Sequence, residues 1–153
     1  MRESNITISW EQLLEFSSKF LAAIGFSEKL ALEVAWHLVE ADLAGIASHG
    51  VLRLPLYAKD AKNGRFKPSG VPTKMEHGES SCLINGNQGL GIPAMTMAIK
   101  EGMNLAKKTG TSSVGIINVG HTGRIGEFVE TAADSGYLSI IFGGGSRKDW
   151  PQV

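Results

Sequence analysis

Gly64-Arg65-Phe66-Lys67-Pro68-Ser69-Gly70-Val71-Pro72 is the stretch on which the fold turns. Proline and glycine in this density end regular structure, and the hydrophobic period differs on the two sides. Upstream, apolar residues recur every three or four positions. Downstream they alternate or arrive in short β-branched runs. We therefore place a boundary here, with a helical N-terminal region over residues 1–66 and a partial α/β domain over residues 67–153.

Working upstream, Leu13, Leu14, Phe16, Phe20, Leu21 and Ile24 repeat at helical spacing after Ser9, an N-cap with Gln12 at the capping-box position. Gly25 closes this helix and Ser27 caps the next, whose stripe of Leu30, Val34, Leu38 and Ala41 reaches about Leu43. A helical hairpin is expected, with Phe16, Phe20 and Trp36 in its seam and His37 as a packing or surface residue. A third helical stretch follows the glycine-interrupted residues 44–50 and runs to about Asn63. Pro55 lies either in its first turn or at a kink.

Working downstream, residues 73–77 and 81–84 read as two strands around the turn Gly78-Glu79-Ser80, with His77 at that turn. Residues 92–108 form a helix ended by Gly110, residues 112–119 a strand, 123–134 a helix and 137–142 a final strand. The order β-β-α-β-α-β predicts a mixed α/β fold with an at least partly parallel sheet. No element is left to cover the last strand, and the chain stops on Trp150-Pro151-Gln152-Val153. It reads as cut short.

Composition narrows the function. The 153 residues are 42% hydrophobic and 20% charged, with 15 Lys plus Arg against 15 Asp plus Glu. No basic field or charge block exists to gather nucleic acid, so that partner is not expected. The single cysteine, Cys82, excludes an internal disulfide scaffold and a zinc module. No uninterrupted apolar run approaches the roughly 20 residues of a membrane span, and residues 1–8 lack the pattern of a signal peptide. No membrane partner and a reducing, cytoplasmic location are the expectations. The 19 glycines exceed the roughly eleven that ordinary usage predicts, which points to tight turns or backbone close to a ligand.

Three segments bear residues able to do chemistry. Gly86-Asn87-Gln88-Gly89-Leu90-Gly91 has its glycines in the reverse order of the dinucleotide fingerprint, so the fold is not a Rossmann fold, and the loop reads as turn glycines feeding a helix. Gly120-His121-Thr122-Gly123-Arg124 places His121 at the carboxyl end of a strand and before a helix, where open α/β sheets bind ligands. His121 is then either a proton-transfer group or a histidine capping its turn. Arg124 binds an anion or extends into solvent. Ser48-His49-Gly50 with Arg53 and Tyr57 sets an imidazole, a guanidinium and a phenol one turn apart. That set suits a 2-hydroxy or 2-oxo acid, with the guanidinium fork on the carboxylate and the imidazole at the adjacent oxygen. The competing reading is a capped turn with Arg53 solvated. No His, Asp and Glu spacing supports a metal site.

Ala41-Asp42-Leu43 with Gly45, the segment running from Ser48-His49-Gly50 through Arg53 and Pro55 to Tyr57, Asn85 through Gly91, and Gly120-His121-Thr122-Gly123-Arg124 occur in an order that resembles the malate/L-lactate dehydrogenase family lacking a Rossmann domain. That family includes ureidoglycolate dehydrogenases, diketogulonate reductases and cyclic imino acid reductases. The resemblance implies a homodimeric oxidoreductase passing hydride between NAD or NADP and a small 2-hydroxy, 2-oxo or 2-imino acid such as malate or lactate. It implies catalytic roles for Ser48, His49 and His121. Substrate contacts follow for Arg53, Tyr57 and Lys148, and cofactor contacts for His121, Gly123, Arg124 and Ser146. Members are substantially longer, so a second expectation is an inactive truncated remnant that binds an organic acid or pairs with a full-length protomer.

Overall fold

The structure is a computed structural model that describes residues 7–144. Helices α1 (Trp10–Ala23) and α2 (Glu28–Leu43) form the expected hairpin. Ser9 and Gln12 close a reciprocal capping box at 3.2 and 3.3 Å, and Ser27 Oγ accepts the Leu30 amide. These bonds satisfy donors that every helix start leaves orphaned. Two 3₁₀ turns, Ala47–His49 and Val51–Arg53, lead into α3 (Leu54–Lys62), and Pro55 sits in its first turn.

Beyond the turn-rich stretch, β1 (Thr73–His77) pairs antiparallel with β2 (Ser81–Gly89). Helix α4 (Gly91–Thr109) then crosses over to β3 (Ser113–Val119), which pairs parallel with β2, giving a three-stranded sheet in the order β1-β2-β3. Helix α5 (Ile125–Asp134) follows. Strand β2 runs five residues further than its alternation indicates, through the first part of the glycine-rich segment. Asn85 Oδ1 accepts the Asn87 amide at 2.9 Å, and Asn87 and Gln88 take φ of 52° and 61°, so the strand bulges where its register to β3 shifts.

One expected strand is absent among the described residues. Residues 137–144 form no ladder, although their burial alternates: Tyr137, Ser139 and Ile141 are half-buried, while Leu138 and Phe142 are 95% and 91% exposed. The alternation is strand-like and Ile141 packs against the main core, but a strand exists only through a hydrogen-bonded neighbour, and no ladder forms here among the described residues. The hairpin seam also differs from expectation. Leu21, Ala31, Val34, Ala35 and Leu38 fill it, while Phe16 and Trp36 are 59% and 43% exposed. Trp36 meets Trp10 edge-on at 5.8 Å on the outer flank. The apolar stripes are wider than the seam, and the smaller residues let the helices approach closely.

The larger core joins both regions: Leu21, Leu38, Leu54, Tyr57 and Phe66 pack with Leu90, Ile92, Met95 and Phe128. Each fully buried Leu, Ile or Phe contributes roughly 1.5–3 kcal/mol, so contacts crossing residue 66 couple the helical region to the sheet. A second cluster of Cys82, Ile84, Ala94 and Ala98 seats α4 on the strands. No described helix is long and apolar enough to cross a membrane.

Candidate active site

The packing of α3 against the β3–α5 loop brings the two histidine segments together. Asp42, near the end of α2, reaches under the turn: its Oδ2 accepts the Val51 amide at 2.9 Å. A Cβ on Gly50 would overlap that carboxylate, so glycine here lets the acid cap the second 3₁₀ turn and aim the residues around it. Arg53 Nε donates to the Ser48 carbonyl at 2.6 Å, and Ser48 Oγ lies 3.0 Å from His49 Nδ1. Ser48, His49 and Arg53 therefore form one braced turn. Tyr57, one turn further along α3, is buried at 2% exposure and ends 2.9 Å from His121 Nδ1.

His121 sits on a loop built by neighbours on every side. Its carbonyl accepts the Gly91 amide at 2.8 Å from the start of α4, and the Gly120 amide donates to Gly89 O at 2.8 Å. The glycine-rich segment expected to feed a helix thus also beds the histidine loop. The Gly123 amide donates to His121 Nδ1 at 3.2 Å. Because that nitrogen accepts an N–H, the neutral ring carries its hydrogen on Nε2, and the Tyr57 hydroxyl donates to Nδ1 as well. The rings of His49 and His121 stack, centroids 5.6 Å apart at 25°. Residues 64 or more positions apart in sequence thereby form one cluster, as the separate motifs require.

Electrostatics keep the cluster uncharged apart from its guanidinium. Burial, and then the Arg53 guanidinium and the neighbouring His49 and His37 rings, push His121 down to about 4 from its ordinary 6.5. Burial and Arg53 lower His49 too. Burial pushes the Tyr57 phenol above its ordinary range, so it stays a donor. Among the described residues no carboxylate pairs with Arg53, whereas Arg65 and Arg124 both have one. A half-buried guanidinium with no carboxylate partner among the described residues, beside neutral imidazoles, has the chemistry to receive a small anion.

The depressed His121 value has a consequence for stability. Between pH 6.5 and 4 the unfolded chain binds a proton on this ring that the folded chain does not, so stability falls as pH drops through that window. The loss is roughly 3 kcal/mol for this ring. Urea midpoints at pH 7 and pH 4.5 measure it, and His121→Asn is expected to flatten the dependence.

The Arg124 guanidinium lies between Glu40 and Glu130, with contacts of 3.0–3.2 Å to Glu40, and its side chain is 12% exposed. It is not solvated; it ties α5 to α2. The Gly123 amide is likewise committed, to His121. Ser146 and Lys148 lie outside the described residues. A small cleft of about 20 Å³ opens beside the cluster, lined by Tyr57, Phe66, Leu90, Gly120 and His121 together with the Asp60–Arg65 pair. A space of that size admits about one water molecule, so the cleft by itself does not fit a nicotinamide ring. The Gly123 amide and Arg124 are already bonded within the chain. No described group of three or more His, Cys, Asp or Glu could hold a metal.

Sequence reasoning passed over four residues that build the site: His37, Asp42, Phe66 and Glu127. Asp42 had a signal in its place before the serine-histidine turn. The others are visible only through tertiary contacts.

Comparison with known proteins follows the same outline. The family profile described as malate/L-lactate dehydrogenase matches residues 8–148. The malate/(S)-sulfolactate dehydrogenase of Methanothermus fervidus is 36% identical over 133 residues, covering 87% of this chain and 39% of that one. The ureidoglycolate dehydrogenase (NAD(+)) of Escherichia coli K12 is 32% identical over 87% of this chain and 38% of its own length. The structure of malate dehydrogenase from Pyrococcus horikoshii OT3 superposes with a TM-score of 0.80 at 34% identity, over 86% of this chain and 38% of that one. The chain spans about two fifths of the length of these relatives.

Proposed function

The chain belongs to the malate/L-lactate dehydrogenase family, and from that premise we propose that it supplies the acid-gripping part of an oxidoreductase. The reaction moves a hydride between NAD or NADP and a small 2-hydroxy or 2-oxo acid. The observation that carries this reading is the convergence of Arg53, lacking a carboxylate partner among the described residues, with the neutral His49–His121 stack. The names of the relatives, malate, sulfolactate and ureidoglycolate dehydrogenases, support the same substrate class.

Arg53 orients the acid. Its Nε is fixed on the Ser48 carbonyl, which leaves the two terminal nitrogens as a planar fork for the substrate carboxylate. His121 then donates from Nε2 to the oxygen on the neighbouring carbon. A neutral imidazole held in place serves as an electrophile, strengthening its bond as negative charge develops on that oxygen. Tyr57 and the Gly123 amide keep the ring in that tautomer. His49, braced by Ser48, is the second ring able to carry a proton. The coenzyme supplies the hydride donor or acceptor when bound, and the small cleft beside His121 does not by itself enclose it. Lys148 and Ser146 keep the substrate and cofactor contacts implied by the resemblance. The homodimer and the cytoplasmic location belong to this proposal as well.

The test mixes the chain with reduced NAD or NADP and a panel of 2-oxo acids and follows the absorbance of the reduced coenzyme. Oxidation with malate- or lactate-type oxo acids is the expected result. A thermal shift with an acid but no oxidation favours the second reading, a chain that binds the acid without turning it over. Neither response in a folded sample overturns the proposal.

A further inference from the structure

A second enclosed histidine lies outside the cluster described above. His37, in the middle of α2, is 2% exposed, and its ring stacks on the buried Phe128 with centroids 5.2 Å apart at 19°. Its Nε2 accepts the Arg124 amide at 2.8 Å, and its Nδ1 faces the Glu127 carboxylate in direct contact. Since Nε2 accepts, the hydrogen of the neutral ring is on Nδ1, the nitrogen beside Glu127. One face and Nε2 are therefore held, with the Glu127 carboxylate against Nδ1.

The bond from the Arg124 amide matters because of what precedes it. The Gly123–Arg124 peptide plane is pinned by His37, and the amide on the other side of Gly123 is the one that donates to His121 Nδ1. Gly123 has φ +75°, a left-handed conformation suited to glycine, and a Cβ there would overlap His37 Nε2. The loop is thus pressed against the ring. Glu40, one turn beyond His37 on α2, holds the Arg124 guanidinium and keeps the same segment in place.

We infer that His37 and Glu127 form a positioning pair that sets the tautomer of His121 through the backbone of residues 123 and 124. The pair touches no substrate. It aims one amide at Nδ1, which leaves Nε2 as the nitrogen bearing hydrogen. Its importance for catalysis rests on the function proposed above, but the tautomer itself is a property of the folded chain and is measured without turnover.

The experiment records long-range proton–nitrogen correlation spectra of the histidine rings in the uniformly ¹⁵N-labelled chain, with a pH titration. In the unmodified chain His121 is expected as the Nε2–H form. In His37→Val it becomes a mixture of tautomers. Arg53, His49 and Tyr57 face His121 in every variant, so they cannot account for a difference. His37→Gln, whose amide can accept from Arg124 and donate to Glu127, restores the original spectrum. Glu127 is partly exposed, and Glu127→Ala provides the same reading should His37→Val fail to fold. An unchanged tautomer in a folded His37→Val or Glu127→Ala chain overturns the inference. Failure of the coenzyme assay with a changed tautomer overturns only the proposed function.

Discussion

Replacing His121 by alanine is expected to lower kcat for acid reduction by about 10²–10⁴-fold, the range in which a positioned proton-transfer or oxyanion-stabilising side chain operates. The affinity for the acid should change little, because Arg53 makes the carboxylate contact. The alanine variant has a second effect. Tyr57 is buried at 2% exposure and loses the acceptor of its hydroxyl, which costs about 1–3 kcal/mol of stability. His121→Asn separates the two effects, since its amide oxygen can take the place of Nδ1 for Tyr57 and Gly123 while offering no ring N–H at the Nε2 position. Initial rates followed by coenzyme absorbance, with urea midpoints on the same samples, measure both. Full activity in His121→Asn would remove this ring from the chemistry.

Replacing Arg53 is expected to act on binding instead. Deleting one partner of a desolvated charged pair costs about 2–5 kcal/mol, or roughly 30- to 5,000-fold in affinity for the acid. Arg53→Lys keeps the charge but loses the planar fork and the Nε bond to the Ser48 carbonyl, so it should recover only part of the loss. Arg53 also repels protons from both histidines, and its removal raises their affinity for protons. Titrations at pH 8, where the rings are neutral with or without it, isolate the carboxylate contact. An Arg53→Lys chain with undiminished affinity would contradict the clamp.

Much of this arrangement is legible before any coordinates exist, and the reasons are local. Ser9 and Gln12 announce a helix start through a bond three residues long, and the prolines and glycines from Gly64 to Pro72 interrupt the chain whatever surrounds them. The serine-histidine turn and Arg53 are close in sequence, so their convergence follows from a single helical turn. What escapes is decided by partners far along the chain. The alternation at residues 137–142 is a genuine strand pattern, yet a ladder needs a neighbour, and local sequence cannot say whether one is adjacent. Arg124 has the sequence context of an anion contact, but Glu40 and Glu130 claim it once α2 and α5 pack together. His37 reads as one more residue of an apolar stripe. Only Arg124, 87 residues later, gives its Nε2 a partner.

The central claim is that a guanidinium and two imidazoles converge on one small organic acid. Titrating the ¹⁵N-labelled chain with oxalate, a planar mimic of a 2-oxo acid, while following the ring signals of His49 and His121 tests it most directly. The account predicts saturable shifts in both rings that disappear in Arg53→Ala and persist when the exposed Lys19 is replaced by alanine. Rings that ignore oxalate, or that respond equally without Arg53, would contradict it.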